Sequence, residues 1–255
     1  MSLDLELAPP LRAFGSASQI ARVVTEKWAL DNFYCASCGF SLASYPNNTP
    51  LYDFHSPDCQ ERFQLKASKN RFGKSVLDSE YHTALDGIMK DKYPSLILLH
   101  YDPVSWTVVG LEVIHRACIT TSSLIRHKPL SPTAQRRGWE GCSISLADVP
   151  SLGRIGVVMN GFIRPRSAIL KQWKHSSKLL ETEPQARGWV ADVLACVERV
   201  YEVFTLDNVY SFEKDLAKKH PKNHFIRPKI RQQLQVLRDL GLIEFVSPGV
   251  YRRLK

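Results

Sequence analysis

The 255-residue chain lacks the features that mark a secreted or membrane-embedded protein. No apolar run approaches the roughly 20 residues of a membrane span; the longest, residues 95–99 with their flanks, suits a buried strand. The first ten residues carry Asp4 and Glu6 where a secretion leader needs basic and then apolar side chains. Six cysteines in this length do not make a disulfide framework, and clustered cysteines in a reducing compartment point to metal before disulfide. Internal repeats and low-complexity tracts are missing too. The expectation is a soluble, cytoplasmic, globular protein. Negative charge is also scarce: 25 Asp plus Glu face 34 Lys plus Arg, a net charge of +9. That excess favours a polyanionic partner, because neutralising phosphates releases condensed counterions. Composition does not choose between DNA, RNA and an anionic membrane.

What is present falls into three blocks. Residues 16–69 open with a helical pattern (Ile20, Val23, Val24, Trp28) and pass into turns that bracket cysteines. Residues 93–162 read as strands, for example 96–99, 106–109 and 157–159, interrupted by a basic loop over 126–141. Residues 175–188 carry little periodicity and mark the domain boundary. From Trp189 the pattern is three helices and a hairpin. Trp189, Val193, Leu194, Val197 and Val200 form the first stripe. Asp207 is the expected cap of a second helix with Val209, Phe212 and Leu216. The third carries Ile230, Leu234, Leu237 and Leu240, and stops at Gly241. That order is a winged helix.

Cys35-Ala-Ser-Cys38-Gly39 is a knuckle that lets two thiolates grip one tetrahedral zinc ion, and His55 and Cys59 follow as H-x-x-x-C to complete a Cys₃His set. Asp58 is an alternative oxygen ligand. A redox C-x-x-C pair, or thiols buried without metal, are the other readings. Cys118, Cys142 and Cys196 stand apart and read as core residues.

Asp53 lies between the half-sites, and Gln64-Leu65-Lys66 follows them. On a strand, Gln64 and Lys66 share one face. Hydrolysis of a phosphodiester needs a hard cation held by oxygens and a group at the attacking water. Asp53, the Gln64 amide oxygen and the Leu65 carbonyl suit Mg²⁺, with Lys66 at the water. Alone, such a D…Q-x-K pattern arises often by chance, and Gln64 and Lys66 then read as surface strand residues.

Longer stretches carry a resemblance. They include Ala21-Arg22, Thr25-Glu26, Tyr34-Cys35, Asp53-Phe54, Lys128-Pro129-Leu130, Gly138-Trp139, Gly141-Cys142, Val149-Pro150-Ser151, Gly153-Arg154-Ile155, Arg187-Gly188-Trp189, Phe204-Thr205-Leu206 and residues 229–235. In these the sequence resembles the DpnI-like methyl-directed (type IIM) restriction endonucleases of the PD-(D/E)XK superfamily, everywhere except residues 70–116. The resemblance implies an α+β fold in two domains. Residues 1–183 form a nuclease domain, a mixed sheet flanked by helices with an inserted zinc knuckle, and residues 184–255 a winged helix. It further implies Mg²⁺- or Mn²⁺-dependent cleavage of double-stranded DNA carrying N6-methyladenine, at GATC. Asp53 and Lys66 are the implied catalytic residues, with Glu26 as an accessory ligand. The chain departs from the family at two positions. Gln64 stands where the family has its catalytic Glu, and Ser56 where it has a zinc cysteine, leaving His55 and Cys59 to complete the zinc site. Because an amide is a poorer Mg²⁺ ligand than a carboxylate, the expectation is an active enzyme that needs more metal. Glu61 falls on the opposite strand face and does not substitute.

N6-methyladenine presents a methyl group beside one remaining amino hydrogen, so a reader needs an apolar surface next to a hydrogen-bonding group. Trp139 in the basic loop is the apolar candidate, with Arg126, Arg136 and Arg137 for phosphate or guanine; the opposing reading is a core tryptophan among solvated arginines. In the last domain Asn223 and His224 precede a helix bearing Arg227, Lys229 and Arg231, placed to meet base edges, while Arg252 and Arg253 on the wing suit phosphate. Lys218 and Lys219 read as plain surface. Two readers in one chain make a monomer reasonable. Two rivals stand beside the endonuclease. One is a non-cutting reader of methylated DNA in which Gln64 marks decayed catalysis; the other is an RNA-binding zinc protein, which the placement of Asp53, Gln64 and Lys66 does not suit.

Overall fold

The computed structural model describes residues 1–5 and 16–254, so Glu6 of the N-terminal reading lies outside the described residues. Helix α1 (Ala17–Asn32) starts where the Ser16 hydroxyl accepts from the Gln19 amide, and it turns Ala21, Val24, Trp28 and Ala29 inward. Strands β1 (Ala43–Ser44), β2 (Phe54–His55) and β3 (Arg62–Ser68) follow. Next come β4 (Ser75–Glu80), α2 (Tyr81–Met89), β5 (Ser95–Asp102) and β6 (Thr107–Ile114), then β7 (Leu124–Arg126), β8 (Gly141–Ser145), β9 (Arg154–Met159), β10 (Phe162–Ile163) and α3 (Arg166–Ser176). Seven strands form one sheet in the order β1-β2-β3-β5-β6-β9-β10. The β3–β5 pair is parallel and the other pairs are antiparallel, which makes the sheet mixed.

Both faces of this sheet are covered, and the period of two divides the apolar residues between them. Ile97 and Leu99 of β5, with Phe63, Val113 and Ile155, pack with Val24 and Trp28 of α1 and Ile169 and Trp173 of α3. Leu96, Leu98 and Ile114 face the other way, into a core shared with α2 and the C-terminal helices. That second face also carries a three-stranded sheet, β4-β8-β7, which places the basic loop between its last two strands. The α2 helix and β4 fall in residues 75–89, a stretch in which the sequence reading places no element and the resemblance does not reach.

The C-terminal part comprises α4 (Pro184–Glu198), β11 (Val203–Thr205), α5 (Leu206–Tyr210), α6 (Glu213–Lys219), α7 (Ile226–Asp239) and the hairpin β12 (Ile243–Ser247) with β13 (Val250–Arg253). The last sheet runs β11-β13-β12, so the wing folds back on the strand after α4. Trp189, Val193, Leu194 and Val197 of α4 meet Ile230, Leu234 and Leu237 of α7 in the same core as Leu96 and Leu98. The expected stop of α7 is present: Gly241 adopts φ +63°, which disfavours other residues there. The expected Asp207 cap is not. Thr205 caps instead, in a capping box with Asn208, and the chain breaks into two short helices around Phe212.

No described helix is long and apolar enough to cross a membrane.

Candidate active site and DNA-contacting surface

The β2–β3 pairing builds the site. Phe54 pairs with Phe63 and His55 with Arg62, and the Asp53 amide donates to the Phe63 carbonyl at 2.9 Å. Two residues on, the Leu65 amide donates to Asp53 Oδ2 at 2.7 Å. Within a strand the N–H and C=O of one residue point the same way, so the Leu65 carbonyl faces this edge as well. Asp53, Gln64, Leu65 and Lys66 therefore line one cleft of 960 Å³, with Arg22 and Glu26 of α1 on its opposite wall and Arg71 at its margin. Glu26 pairs with Arg22 at 2.7 Å. Burial holds the Asp53 carboxyl above its ordinary range; the Leu65 N–H opposes this, and the charge of Glu26 adds to it.

Gln64 is the informative member. Its Oε1 is buried and has no hydrogen-bond partner. A buried acceptor left open is costly, and a cation beside Asp53 is one way to satisfy it. The donor set of carboxylate, amide oxygen and backbone carbonyl is a hard-oxygen set suited to Mg²⁺ or Mn²⁺. Lys66 does not extend freely into solvent: its Nζ lies 2.9 Å from Oδ1 of Asp78, a residue that no motif or spacing singled out. Glu61 binds Arg116 at 3.4 Å, away from the cleft.

The knuckle gathers Cys35, Cys38 and Cys59, whose sulfurs lie within 4.8 Å of one another. Burial pushes the Cys35 thiol up to about 12. At Cys38 burial acts upward too, but the Ser56 hydroxyl and the Phe40 amide outweigh it and hold that thiol below its ordinary value. The expected fourth ligand is corrected. Because β2 buries Phe54, it turns the His55 ring to the other side, against Tyr45 at 4.7 Å, and His55 is not part of the cluster. Asp58 is exposed and outside it as well. The fully buried Ser56 stands there instead, with Oγ 3.2 Å from Cys38 Sγ. Three thiolates at zinc-binding separation could hold that ion.

In the basic loop, the half-buried Trp139 covers Gly141 so closely that a Cβ there would sit 2.7 Å from the ring. Arg136 lies 5.7 Å from the Trp139 centroid, and Arg137 is exposed. Arg126 is tied to the base of the loop by Glu140 and lies over Tyr81 at 4.9 Å. On α7, Arg227 pairs with Glu213 at 2.8 Å, and both Arg227 and Arg231 sit over the Tyr210 ring. Lys229 donates to Gln232, and His224 is exposed. The Asn223 oxygen accepts from the Phe225 amide at 2.8 Å, so using that oxygen at a base edge requires the turn to open. Arg252 is exposed and pairs with Glu244, whereas Arg253 turns inward to the Glu198 carbonyl at 3.0 Å and is no phosphate ligand as placed. Lys219 is not plain surface: it bridges Asp148 and Asp192 at 2.8 Å each. Cys118, Cys142 and Cys196 are buried, as expected.

The profile of the DpnI, Dam-replacing family matches residues 1–182, and that of the Dam-replacing helix-turn-helix domain matches residues 185–253. The first match alone covers most of the chain, and the cleft and the C-terminal helices lie one in each matched part. The chain thus belongs to the DpnI family of methyl-directed restriction endonucleases.

Proposed function

We propose that the protein hydrolyses phosphodiester bonds in double-stranded DNA at sites containing N6-methyladenine, GATC among them, as a type II enzyme dependent on Mg²⁺ or Mn²⁺. The observation that carries this reading is the open Gln64 Oε1, buried beside Asp53 in a cleft that also holds Lys66. A divalent cation supplies charge neutralisation and a more acidic water when bound. Asp53, Gln64 and the Leu65 carbonyl would hold it. The Asp53 carboxylate is fixed in direction by the Leu65 amide, so it requires little reorientation. Lys66 has N–H donors beyond the one directed at Asp78, and these would be available to the scissile phosphate or the attacking water. Arg22 neutralises Glu26 on the facing wall, leaving Glu26 in reach as an accessory group. The α7 surface and the basic loop supply phosphate and base contacts, with Trp139 offering the apolar surface for the methyl group. Zinc held by Cys35, Cys38 and Cys59 would brace the loop that leads into β2.

Matched plasmids, adenine-methylated and unmethylated, incubated with Mg²⁺ or Mn²⁺ test the reading. Cleavage of the methylated plasmid alone is expected. Methyl-dependent binding with no cleavage in either metal overturns it in favour of a reader that does not cut.

A further inference from the structure

The cleft lysine is held from outside its own sheet. Asp78 belongs to β4 of the three-stranded sheet, and its side chain is 0% exposed. Its Oδ1 accepts from Lys66 Nζ at 2.9 Å, and its Oδ2 accepts from the Tyr93 hydroxyl at 2.7 Å. The Cys142 thiol lies 3.9 Å from Oδ2. Tyr93 is itself buried, just ahead of β5. Lys66 is thus joined to a carboxylate closed off from water, and a buried charge of this kind demands its partner. The backbone explains how Asp78 reaches so far. Pairing of β4 with β8 is regular through Leu77 and Ser143 and resumes only at Glu80 and Gly141, so Asp78 and Ser79 lie in an irregularity. Such bulges bend a strand and re-aim a side chain. The far end of the same pair is the root of the basic loop, where the Tyr81 amide donates to the Glu140 carbonyl at 2.9 Å and Glu140 holds Arg126.

We propose that Asp78, steadied by Tyr93, is a positioning residue for the cleavage reaction, holding the Lys66 ammonium at the cleft wall from the sheet that roots the DNA-reading loop. The assignment rests on the endonuclease reading above. Asp78 touches neither DNA nor metal; it restricts Lys66 to one location and leaves its other donors free for the reacting phosphate. An ion pair serving stability alone would look the same in a static structure, so the test must separate kcat from folding and binding.

The experiment is single-turnover and steady-state cleavage of adenine-methylated plasmid by the wild type, Asp78→Asn, Tyr93→Phe, Lys66→Ala and the Lys66→Ala/Asp78→Asn double variant, with melting temperature and methylated-DNA affinity measured on each. Asp78→Asn should lower kcat by roughly 10- to 100-fold, the range found when an outer partner of a site ligand is removed, with KM and DNA affinity unchanged. Tyr93→Phe, which removes one hydroxyl from an otherwise intact core, should lower kcat less and in the same sense, and it carries the test if Asp78→Asn does not fold. In the Lys66→Ala background Asp78→Asn should have no further effect on kcat. A wild-type kcat in both single variants overturns the assignment, as does a loss that tracks melting temperature or DNA affinity. A wild type that binds methylated DNA but does not cut it overturns the endonuclease reading and this assignment with it. A wild type that cuts beside unaffected variants overturns this assignment alone.

Discussion

Lys219 places its ammonium nitrogen 2.8 Å from Oδ1 of Asp192, a carboxylate only 2% exposed. The same nitrogen is 2.8 Å from Asp148, in the loop after β8, so one lysine of α6 ties the winged helix to the nuclease fold. His220 completes the arrangement: its Nε2 lies 2.8 Å from Asp192 Oδ2, and its ring stacks on Trp189 at 3.8 Å.

This group ties acid stability to the contact among α4, α6 and the loop after β8. Burial alone would raise the Asp192 carboxyl; the hydrogen bond from His220 and the charge of Lys219 outweigh it and hold the group below its ordinary 3.8. A carboxylate depressed in the folded state contributes stability above its unfolded value and loses that contribution as pH falls through the folded one. The expected outcome is a melting temperature that drops as pH is lowered from 3.8. Asp192→Asn should be less stable at neutral pH, by about 3 kcal/mol for breaking a buried pair, should melt at a lower temperature, and should lose less on acidification. Thermal melts from neutral pH to pH 3 check this, and an unchanged acid slope in the variant would count against the assignment.

Gln64→Glu should have two opposing effects. With metal, a carboxylate in place of the amide oxygen strengthens the oxygen set, and the Mg²⁺ concentration for half-maximal cleavage should fall by about tenfold, or ~1.4 kcal/mol. Without metal, the new charge lies buried in the same cleft as Asp53 and Glu26, so the melting temperature in chelator should drop and Mg²⁺ should restore it. Metal titration of activity and melting together test both halves. An unaltered metal requirement would show that Gln64 is no ligand.

Ser56→Cys should tighten zinc. Ser56 is fully buried with its hydroxyl 3.2 Å from Cys38 Sγ, so a thiolate there would complete a four-sulfur set without moving the backbone. Zinc release to a chromogenic chelator should slow in Ser56→Cys and speed up in Cys59→Ser, whereas His55→Ala should leave it unchanged. Faster release in His55→Ala would restore the histidine to the ligand set.

The sequence carried the local parts of this site well. Asp53, Gln64 and Lys66 flank a single hairpin, so strand alternation alone brings them to one edge. The helix of Val24 and Trp28 and the strand at residues 96–99 follow from periodicity in the same way. What it concealed is long-range or sub-residue. Asp78 meets Lys66 only because an irregular strand of a second sheet folds over β5, and no spacing records that. His55 and Ser56 are neighbours, and which of them faces the knuckle depends on the side β2 buries. Lys219 reads as surface because its two acidic partners lie 71 and 27 positions away.

The α7 contacts can be separated by salt. Arg227 and Arg231 share the Tyr210 ring, at 5.0 and 5.8 Å from its centroid, and direct their Nε donors to Glu213 and to the Tyr210 hydroxyl. Lys229 lies between them on the chain and is half-buried, its amine bound to Gln232. A residue that meets only phosphate contributes sequence-independent affinity and one released counterion, so its alanine variant should lower the logarithmic salt slope of binding by about one, equally on methylated and unmethylated duplexes. A residue that reads a base should instead cost about 1–3 kcal/mol on the specific duplex and little elsewhere. Arg227→Ala and Arg231→Ala should follow the first pattern, since their tethers to Glu213 and Tyr210 hold them on the helix flank. Dissociation constants on both duplexes between 50 and 200 mM salt decide it. A selective loss on the methylated duplex for Arg231→Ala would move that residue from the backbone to the base edge.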